Sequence, residues 1–554
     1  MIGPLRPLLS NPVIAVELLI ASLFANLLAL ASPAFVIQVL NRYVSYGVDA
    51  TLATLVGGVV LAIGLEYGFR RIRLGIAAAP GEHHAGRLAI GAFGLLTTAK
   101  TAIMDRMSPG QRREILHGIE SIDTATGPLH TTVLLDVPFC VLFLGAVWLL
   151  NPTLGLITLF FMGLVLLFGV VAQRQLRHPI REMTEAAFVG ASLVGIANRE
   201  TDTVRAFDGN ELMIRAWKRH RRTLQDLRRH ITLRRGTAQA ITASAQVLMS
   251  VVVITTGAVL VVGGRLDVGI LIGANILAAR ALGPIIRFTQ LAELLAKAGQ
   301  ADQRIQQFAR LSVTREGGTT PEHYRGGLAF RDLGYAWPNS VTPLFESLTL
   351  NLSPGSRLGV VGANGAGKTT LARLIVGLLE PSRGQILADG VDLRQIAPTW
   401  WRRQYSWLPQ EPAFLNGTIR ENLLAANPEI DDVTLNQAIV TAGLDTFIDQ
   451  SPQGLDTSLI APEKVLPLGI RRRLALARAL IVGGSLVVLD EPMDGLDPSG
   501  RQIVHTVIQS LSNQDATLIV FSHDPILLRG FGQILDLNRK PVPSLLANEV
   551  VAVS

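Results

Sequence analysis

The sequence predicts two parts in one chain, an α-helical membrane domain followed by an α/β domain. The first observation is composition: 49% of the 554 residues are hydrophobic and only 17% are charged, whereas a soluble chain is usually about 25% charged. The second is that long apolar runs occur only before residue 290. The third is that an apolar strand, a glycine-rich loop and a helical run follow each other directly in the later part.

Six apolar runs are each long enough to cross a bilayer, since about 20 helical residues span the hydrocarbon core. Their central parts carry one charged residue or none, and backbone polar groups inside lipid require helices. We therefore expect residues 1–305 to form the membrane domain, with long cytoplasmic extensions of the helices. The predicted spans are about 13–40, 51–70, 132–150, 153–173, 241–264 and 267–288. Residues 306–325 are interpreted as a linker, 326–545 as the α/β domain and 546–554 as a tail.

The formal net charge of +7 is unevenly distributed along the chain. Residues 1–325 hold 32 basic and 21 acidic residues, while residues 326–554 hold 18 and 22. The segments 70–131 and 174–240 carry eight and fourteen Lys or Arg, against only Arg42 and Arg265 in the other three loops. The positive-inside rule then assigns both long segments and the α/β domain to the cytoplasm. No aromatic interleaving or groove-reading module accompanies the basic residues, so nucleic acid is not an expected partner.

A phosphate-binding motif follows the strand predicted at Arg357–Val361. The stretch reads Gly362, Ala363, Asn364, Gly365, Ala366, Gly367, Lys368, Thr369, Thr370, which is the P-loop pattern in its strand–loop–helix context. Such a loop turns backbone N–H groups toward phosphates at a helix N-terminus. We expect Lys368 to reach the β- and γ-phosphates of a nucleotide and Thr369 to bind Mg²⁺.

A pair of carboxylates and a histidine occur further along. Asp490 and Glu491 end the apolar stretch that begins at Ser485, and His523 follows the predicted strand 517–521. Ligands of α/β sheets bind beyond the carboxyl ends of the strands. Asp490 is therefore expected to hold Mg²⁺, Glu491 to orient or deprotonate the attacking water, and His523 to contact the γ-phosphate.

Together these motifs resemble the ATPase domain of ABC transporters, and six spans before such a domain resemble an ABC exporter half-transporter of the type I exporter fold. The stretch 408–415 matches the family's Q-loop, which implies that Gln410 senses the metal and the nucleophilic water. Trp337 matches the aromatic residue that stacks on adenine. The D-loop is matched by Asp494, Gly495, Leu496 and Asp497. ATP and Mg²⁺ are the cofactors that the resemblance implies.

The signature motif departs from the family pattern Leu-Ser-Gly-Gly-Gln. This chain has Leu466, Pro467, Leu468, Gly469 and Ile470, and the acidic position upstream is Ala461. Pro467 lacks a hydroxyl and an N–H donor but suits the start of a helix. Two alternatives remain open: a homodimer with two modified but active sites, which we favour, or one half of a heterodimer with one weakly hydrolysing site.

The membrane half resembles the permease/ATPase family of type I secretion, the haemolysin and protease exporter group. The resemblance rests on the stretches 33–42, 135–139 and 198–207. It implies export of an unfolded polypeptide across the bacterial inner membrane, with a periplasmic membrane-fusion protein and an outer-membrane channel as partners. A lipid or peptide exporter, or a regulatory half-transporter with little hydrolysis, stays an alternative. The first span begins near residue 13 and Cys140 is the only cysteine, so we expect no N-terminal peptidase domain.

Two charges lie at similar depth within predicted spans. Glu66 and Arg280 are 15 and 13 residues from the outer ends of their runs, which corresponds to roughly 20 Å at 1.5 Å per residue. Charges at this depth are costly and indicate function. Our hypothesis is that they pair with each other or line the translocation path; a purely structural ion pair is the alternative.

Overall fold

The computed structural model describes residues 12–312, 317–337, 340, 342–425, 427–460, 466–524 and 526–546. The chain divides into two compact units. The membrane unit comprises Met1–Ala99 and Asp105–Ser312, and the second unit comprises Lys100–Met104 and Val313–Ser554.

The membrane unit is entirely helical in the described residues. Six of its helical segments are long and apolar enough to span a membrane: Pro12–Tyr46, Asp49–Ala78, Pro128–Leu150, Pro152–Arg199, Asn210–Val262 and Val268–Leu291. The helices are α1 (Pro12–Leu28), α2 (Ala31–Gln38), α3 (Asp49–Thr98), α4 (Thr101–Met104, grouped with the second unit), α5 (Pro109–Thr126), α6 (Pro128–Asp136), α7 (Cys140–Leu150), α8 (Pro152–Arg199), α9 (Thr201–Ala206), α10 (Asn210–Val262) and α11 (Val268–Ser312).

Local sequence signals explain where several helices begin. Ser108 caps α5 through a capping box, in which its hydroxyl accepts from the Gln111 N–H at 3.2 Å. Asn151 caps α8, accepting from the Thr153 N–H at 2.9 Å, with Pro152 at the first helical position. The break between the predicted spans 132–150 and 153–173 therefore falls at Asn151 and Pro152.

Two of the six spans contain local interruptions of the α-helix. Pro33 cannot donate the hydrogen bond to the Ala29 carbonyl, and α1 ends at Leu28 before α2 begins. A π-helical turn, Val39–Tyr43, then follows α2. In the third span Pro138 lies in a 3₁₀ turn, Val137–Phe139, between α6 and α7.

The second unit is α/β. Its helices are α12 (Lys368–Ile375), α13 (Pro398–Trp401), α14 (Ile419–Leu424), α15 (Asp432–Thr441), α16 (Asp445–Gln450), α17 (Leu468–Val482) and α18 (Pro498–Ser512). Its strands are β1 (Leu328–Tyr335), β2 (Phe345–Leu352), β3 (Arg357–Val361), β4 (Arg383–Ala388), β5 (Val391–Asp392), β6 (Tyr405–Leu408), β7 (Gly417–Thr418), β8 (Ser458–Leu459), β9 (Leu486–Asp490), β10 (Thr517–Phe521), β11 (Gln533–Asp536) and β12 (Ser544–Leu546).

The described residues of this unit form three sheets. The central sheet has the order β12-β11-β3-β10-β9-β6, in which only β12 is antiparallel to its neighbour. An antiparallel sheet has the order β2-β1-β4-β5, and β7 pairs with β8. Strands β3, β9 and β10 are buried apart from the ends of β3, as parallel strands covered on both faces are. Because they are parallel, their carboxyl ends lie along one edge of the sheet.

Candidate nucleotide-binding site

The loop after β3 has a backbone that only glycine adopts easily. Gly365 and Gly367 have φ values of +81° and +112°. A Cβ atom at Gly362 would lie 2.8 Å from the Cβ of Ala366, which is too close for any side chain. The loop leads directly into α12, which begins at Lys368. The result is a tight turn of backbone at a helix N-terminus, the geometry that binds anions.

Lys368 is buried and held by two oxygen atoms. Its Nζ donates to the Gly362 carbonyl at 2.6 Å and lies 3.2 Å from Oε1 of Glu491. The P-loop lysine and the second carboxylate, which are 123 positions apart in the sequence, are thus in contact. A phosphate group in the loop would compete with Glu491 for the ammonium group.

Asp490 ends β9 opposite Phe521 of β10 and is completely buried. Neither carboxylate oxygen has a hydrogen-bond partner among the described residues. Burial raises the pKa of Asp490 to about 6; Glu491 adds to the shift, while Thr369 and Lys368 oppose it. Buried, unpartnered carboxylate oxygens are the donors that a hard divalent cation binds.

Glu491 has an unusual backbone that fixes its side chain between two partners. Its φ is +48°, in the sparsely populated left-handed region for a non-glycine residue, and its N–H donates to the Phe521 carbonyl at 2.9 Å. Its Oε2 lies 3.0 Å from Nδ1 of His523, whose side chain is largely exposed. A carboxylate held between a lysine and a histidine beside a phosphate loop is suited to act on a water molecule.

Two further predicted residues have definite positions near the loop. Gln410, two residues past β6, accepts through Oε1 from the Thr369 hydroxyl at 3.0 Å. Trp337, just after β1, packs edge to face on Tyr335 with ring centroids 5.3 Å apart and is 39% exposed. Thr369, Gln410 and Asp490 are thus the residues whose oxygens could hold a metal, and Trp337 keeps an accessible ring surface.

The altered signature motif contacts the D-loop of the same chain. Pro467 is the N-cap of α17, which begins at Leu468 as the sequence predicts. A side-chain methyl of Leu468 lies 2.8 Å from the position that a Cβ on Gly495 would occupy. Ala461, the altered acidic position, lies outside the described residues. The described signature residues therefore lie at the start of α17, and Leu468 packs beside the D-loop residue Gly495.

Sequence reasoning missed Arg472, which is buried behind this motif. Its Nη1 donates to the Glu491 carbonyl at 3.1 Å, and its Nη2 lies 3.4 Å from Asp494. The available signal is its spacing of four residues from Leu476, which is buried on the inner face of α17. Arg472 thus ties the signature helix to the backbone of the candidate base.

Of the two roles predicted for Glu66 and Arg280, pairing with each other is not seen among the described residues, and lining the translocation path stays a prediction. Glu66 is 2.8 Å from Arg70 on its own helix, and the described residues show no ion pair between Glu66 and Arg280. Counting residues from the end of a span gives the depth of a side chain, but not the direction in which it leaves the helix.

A different polar cluster, also missed, is buried in the membrane unit. Arg73 of α3 and Asp136 of α6 form an ion pair at 2.5 Å, and both are almost fully buried. Asn26 and Ser22 of α1 add hydrogen bonds to the pair at 3.3 and 3.4 Å. Asp136 is the only charge in its apolar run, and Arg70, Arg71 and Arg73 at the end of the second predicted span are the nearest candidates for its counter-charge, among which the sequence alone does not choose.

Comparison with known families identifies both units. The profile of the ABC transporter transmembrane region matches residues 15–285, and that of the ABC transporter ATPase matches residues 345–494. The chain belongs to the ABC transporters. It is an ATP-binding, ATP-hydrolysing exporter and a multi-pass membrane protein.

Within this family the chain is similar to toxin exporters along nearly its whole length. It is 26% identical over 549 residues to the toxin RTX-I translocation ATP-binding protein of Actinobacillus pleuropneumoniae, covering 94% of this chain and 75% of that protein. It is 26% identical over 518 residues to the alpha-hemolysin translocation ATP-binding protein HlyB of Escherichia coli O157:H7, covering 92% and 72%. The structure of a bacterial Atm1-family ABC exporter with ATP bound has the same fold, with a TM-score of 0.84, 21% identity and coverage of 97% and 96%.

Proposed function

We propose that this chain is the inner-membrane ATPase of a type I secretion system and drives export of an unfolded polypeptide from a bacterial cytoplasm. The observation that carries this proposal is the similarity to toxin translocation ATP-binding proteins over more than nine-tenths of the chain. The basic residues of segments 70–131 and 174–240 support a cytoplasmic ATPase unit. A periplasmic membrane-fusion protein and an outer-membrane channel are the partners that such a role requires.

In the proposed mechanism, the P-loop backbone and Lys368 bind the phosphates of ATP, and Trp337 stacks on the adenine. Thr369, Gln410 and Asp490 would hold Mg²⁺, a role that fits the oxygens of Asp490, which have no hydrogen-bond partner among the described residues, and the contact between Thr369 and Gln410. An ion held there would neutralise phosphate charge.

Exchange of partners by Lys368 then frees the catalytic carboxylate. Lys368 lies 3.2 Å from Glu491. When the phosphates of ATP attract the ammonium group, Oε1 of Glu491 becomes available to accept a proton from the attacking water. His523, 3.0 Å from the other oxygen, orients Glu491 and contacts the γ-phosphate. Binding of ATP and activation of the base are thereby linked.

We favour a homodimer in which Pro467 and Leu468 of each subunit face the nucleotide of the other. The altered signature offers one fewer hydroxyl and one fewer N–H donor than the family pattern, so closure is weakened but the α17 N-terminus still faces an anion favourably. Restoring the hydroxyl with Pro467→Ser should raise the ATPase rate of the purified chain about tenfold or more, since one charge-assisted hydrogen bond is worth about 1.5–3 kcal/mol. If the ATPase rate of the wild-type chain is already high and Pro467→Ser leaves it unchanged, the claim that the altered signature motif weakens closure is contradicted.

The second candidate is one half of a heterodimer, and the modified signature is the observation that favours it. In that arrangement Glu491 serves one site and Pro467 faces a second, weakly hydrolysing site. The purified chain alone would then show negligible ATPase activity with or without Pro467→Ser, and activity would require a different half-transporter.

The substrate class is tested by stimulation of ATPase activity. We expect a peptide from the C-terminus of a secreted polypeptide to stimulate the reconstituted protein, and a neutral phospholipid added at the same molar ratio to have no such effect. Glu491→Gln provides the background rate in each case. Stimulation by lipid or by short unrelated peptides, with no response to the secretion peptide, would instead indicate a lipid or peptide exporter.

A further inference from the structure

The chain just after β11 lies against the start of the P-loop. Strand β11 pairs in parallel with β3, the strand that leads into the loop, and Asp536 is opposite Val361 in this register. The Leu537 N–H donates to the Val361 carbonyl at 2.9 Å. A Cβ atom on Gly362 would lie 3.3 Å from the Cβ of Leu537. The residues that follow β11 are therefore packed directly beside the first residue of the loop.

Asn538 contacts the backbone of the loop through its side chain. Its Oδ1 accepts from the Ala363 N–H at 2.8 Å. Because a backbone N–H can only donate, the carbonyl oxygen of the Asn538 amide, and not its nitrogen, faces the loop. Asn538 is 175 positions from Ala363 and lies beyond residues 345–494, which the ATPase profile matches. Neither the motifs nor the family profile assigns it a role.

The position of Asn538 is itself fixed by a side chain. Its N–H donates to Oδ1 of Asp536, two residues earlier, at 2.9 Å. This is an Asx turn, in which a carboxylate sets the course of the backbone that follows it. Asp536 thus orients Asn538, and Asn538 in turn holds Ala363. Two hydrogen bonds in series connect the end of β11 to the P-loop.

Ala363 is the residue on which the turn of the loop is built. Its carbonyl accepts from the Ala366 N–H at 3.0 Å, and this bond closes the turn that contains Gly365. The φ of Gly365 is +81°, and a glycine has more backbone freedom to lose on ordering than any other residue. Since Asn538 holds the N–H of Ala363 and Ala366 holds its carbonyl, the orientation of the whole turn depends on both contacts.

We propose that Asn538 is a positioning residue for nucleotide binding. By holding Ala363, it keeps the turn in the shape that binds phosphates, so less backbone order has to be gained when ATP binds. The inference rests on the proposed role of the P-loop in holding the phosphates of ATP. Asn538 contacts neither Glu491 nor Asp490, the groups assigned to the chemical step. Its contribution is therefore the same in the ground state and in the transition state, which affects KM and not kcat.

The test is the ATPase kinetics of the purified full chain in lipid nanodiscs. Asn538→Leu removes the acceptor at similar size, and we expect it to raise the KM for ATP about fivefold, the scale of one neutral hydrogen bond, with kcat within about twofold of the wild type. Asn538→Asp keeps an acceptor oxygen at the same place and should restore the KM in about 0.3 M salt, which screens its added charge. Asn513→Leu, the same substitution at an exposed position just after α18, is the matched control.

The series of two hydrogen bonds gives a second test. Asp536→Ala should also raise the KM, and the double variant with Asn538→Leu should have no higher KM than Asn538→Leu alone, because Asp536 acts through Asn538. If Asn538→Leu lowers the melting temperature, Asn538→Ala replaces it and should raise the KM in the same way.

Three results would overturn the role of Asn538: an unchanged KM in both acceptor-free variants, a loss confined to kcat, or a KM for Asn538→Asp as high as that for Asn538→Leu. Lys368→Ala reports separately on the loop and should abolish measurable ATP turnover. If Lys368→Ala keeps its turnover, the assignment of the phosphate-binding loop fails, whatever Asn538 does.

Discussion

At the scale of single residues, Asp490 is a charge of the candidate site in an unfavourable environment. It is completely buried, and its oxygens have no partner among the described residues. A rise of its pKa from 3.8 to about 6 corresponds to a cost of about 3 kcal/mol at neutral pH. Under the proposed function, a divalent cation bound at Asp490 would offset this cost with binding free energy.

Replacing Asp490 by Asn should therefore have opposite effects with and without ligand. Without nucleotide and Mg²⁺, Asp490→Asn should raise the melting temperature of the full chain, because the ionic charge is removed. With Mg²⁺ and ATP, the variant should lose most of the stabilisation that the wild type gains. The measurement is a thermal melt in both conditions, and a lower melting temperature of the ligand-free variant would contradict the assignment.

The pH dependence of the stability difference between Asp490→Asn and the wild type provides the control for this experiment. A carboxyl whose folded-state pKa is raised destabilises the fold above that pKa, and the penalty disappears as the pH falls through 6 toward 3.8. The stability difference between Asp490→Asn and the wild type should therefore be largest at about pH 7.5 and smaller at about pH 5. A difference independent of pH would assign the effect to packing instead.

At the scale of elements, the buried pair of Arg73 and Asp136 connects α3 to α6, and Asn26 attaches α1 to the same pair. Removing one member of a buried pair leaves an uncompensated charge, which costs about 3–5 kcal/mol, whereas replacing both by apolar residues is often neutral. Arg73→Leu and Asp136→Leu should each lower the melting temperature strongly, and the double variant should recover most of the loss.

The half-exposed pair of Glu66 and Arg70 is the matched control for that experiment. It lies on the same helix as Arg73 with 39% exposure of the Arg70 side chain, and pairs of this kind contribute about 0–1 kcal/mol. Glu66→Gln should change the melting temperature little. Equal effects at both pairs, or a double variant as unstable as the singles, would refute the importance of burial.

Arg472 makes α17 responsive to the conformation of the D-loop. It contacts both the Glu491 carbonyl and Asp494, so the start of the signature helix and the backbone of the base move together. Arg472→Gln should lower the ATPase rate about tenfold or more, since the loss of one buried charged hydrogen bond is worth about 1.5–3 kcal/mol, with little change in the apparent KM for ATP. Arg501→Gln, at an exposed position of α18, is the control; equal rates for both variants would exclude this coupling.

The element scale also shows what the sequence could and could not predict. The P-loop, Asp490 and Glu491 were recognisable because their chemistry depends on local spacing at strand ends. The breaks at Pro33 and Pro138 were missed because hydropathy averages over a run, while one missing N–H acts at a single turn. The partners of Glu66 and Asp136 were missed because helix packing, which a single sequence does not contain, decides which faces meet.

At the scale of the whole molecule, the net charge of +7 is the sum of a basic membrane part and a slightly acidic ATPase part. The single cysteine makes the resulting orientation testable. In a Cys140→Ala background, Arg265→Cys should react with a membrane-impermeant maleimide in cells with a permeabilised outer membrane. Arg222→Cys should react only after the inner membrane is opened, and the reverse pattern would contradict the orientation.

The central claim is that this chain hydrolyses ATP through Glu491 despite its altered signature motif. The most direct measurement is the Mg²⁺-dependent ATPase rate of the purified chain in lipid nanodiscs, compared with that of Glu491→Gln. The account predicts measurable turnover by the wild type and a loss of about 100-fold or more in the variant, the scale of general-base catalysis. Equal rates for the two proteins, or no turnover by the wild-type chain alone, would contradict it.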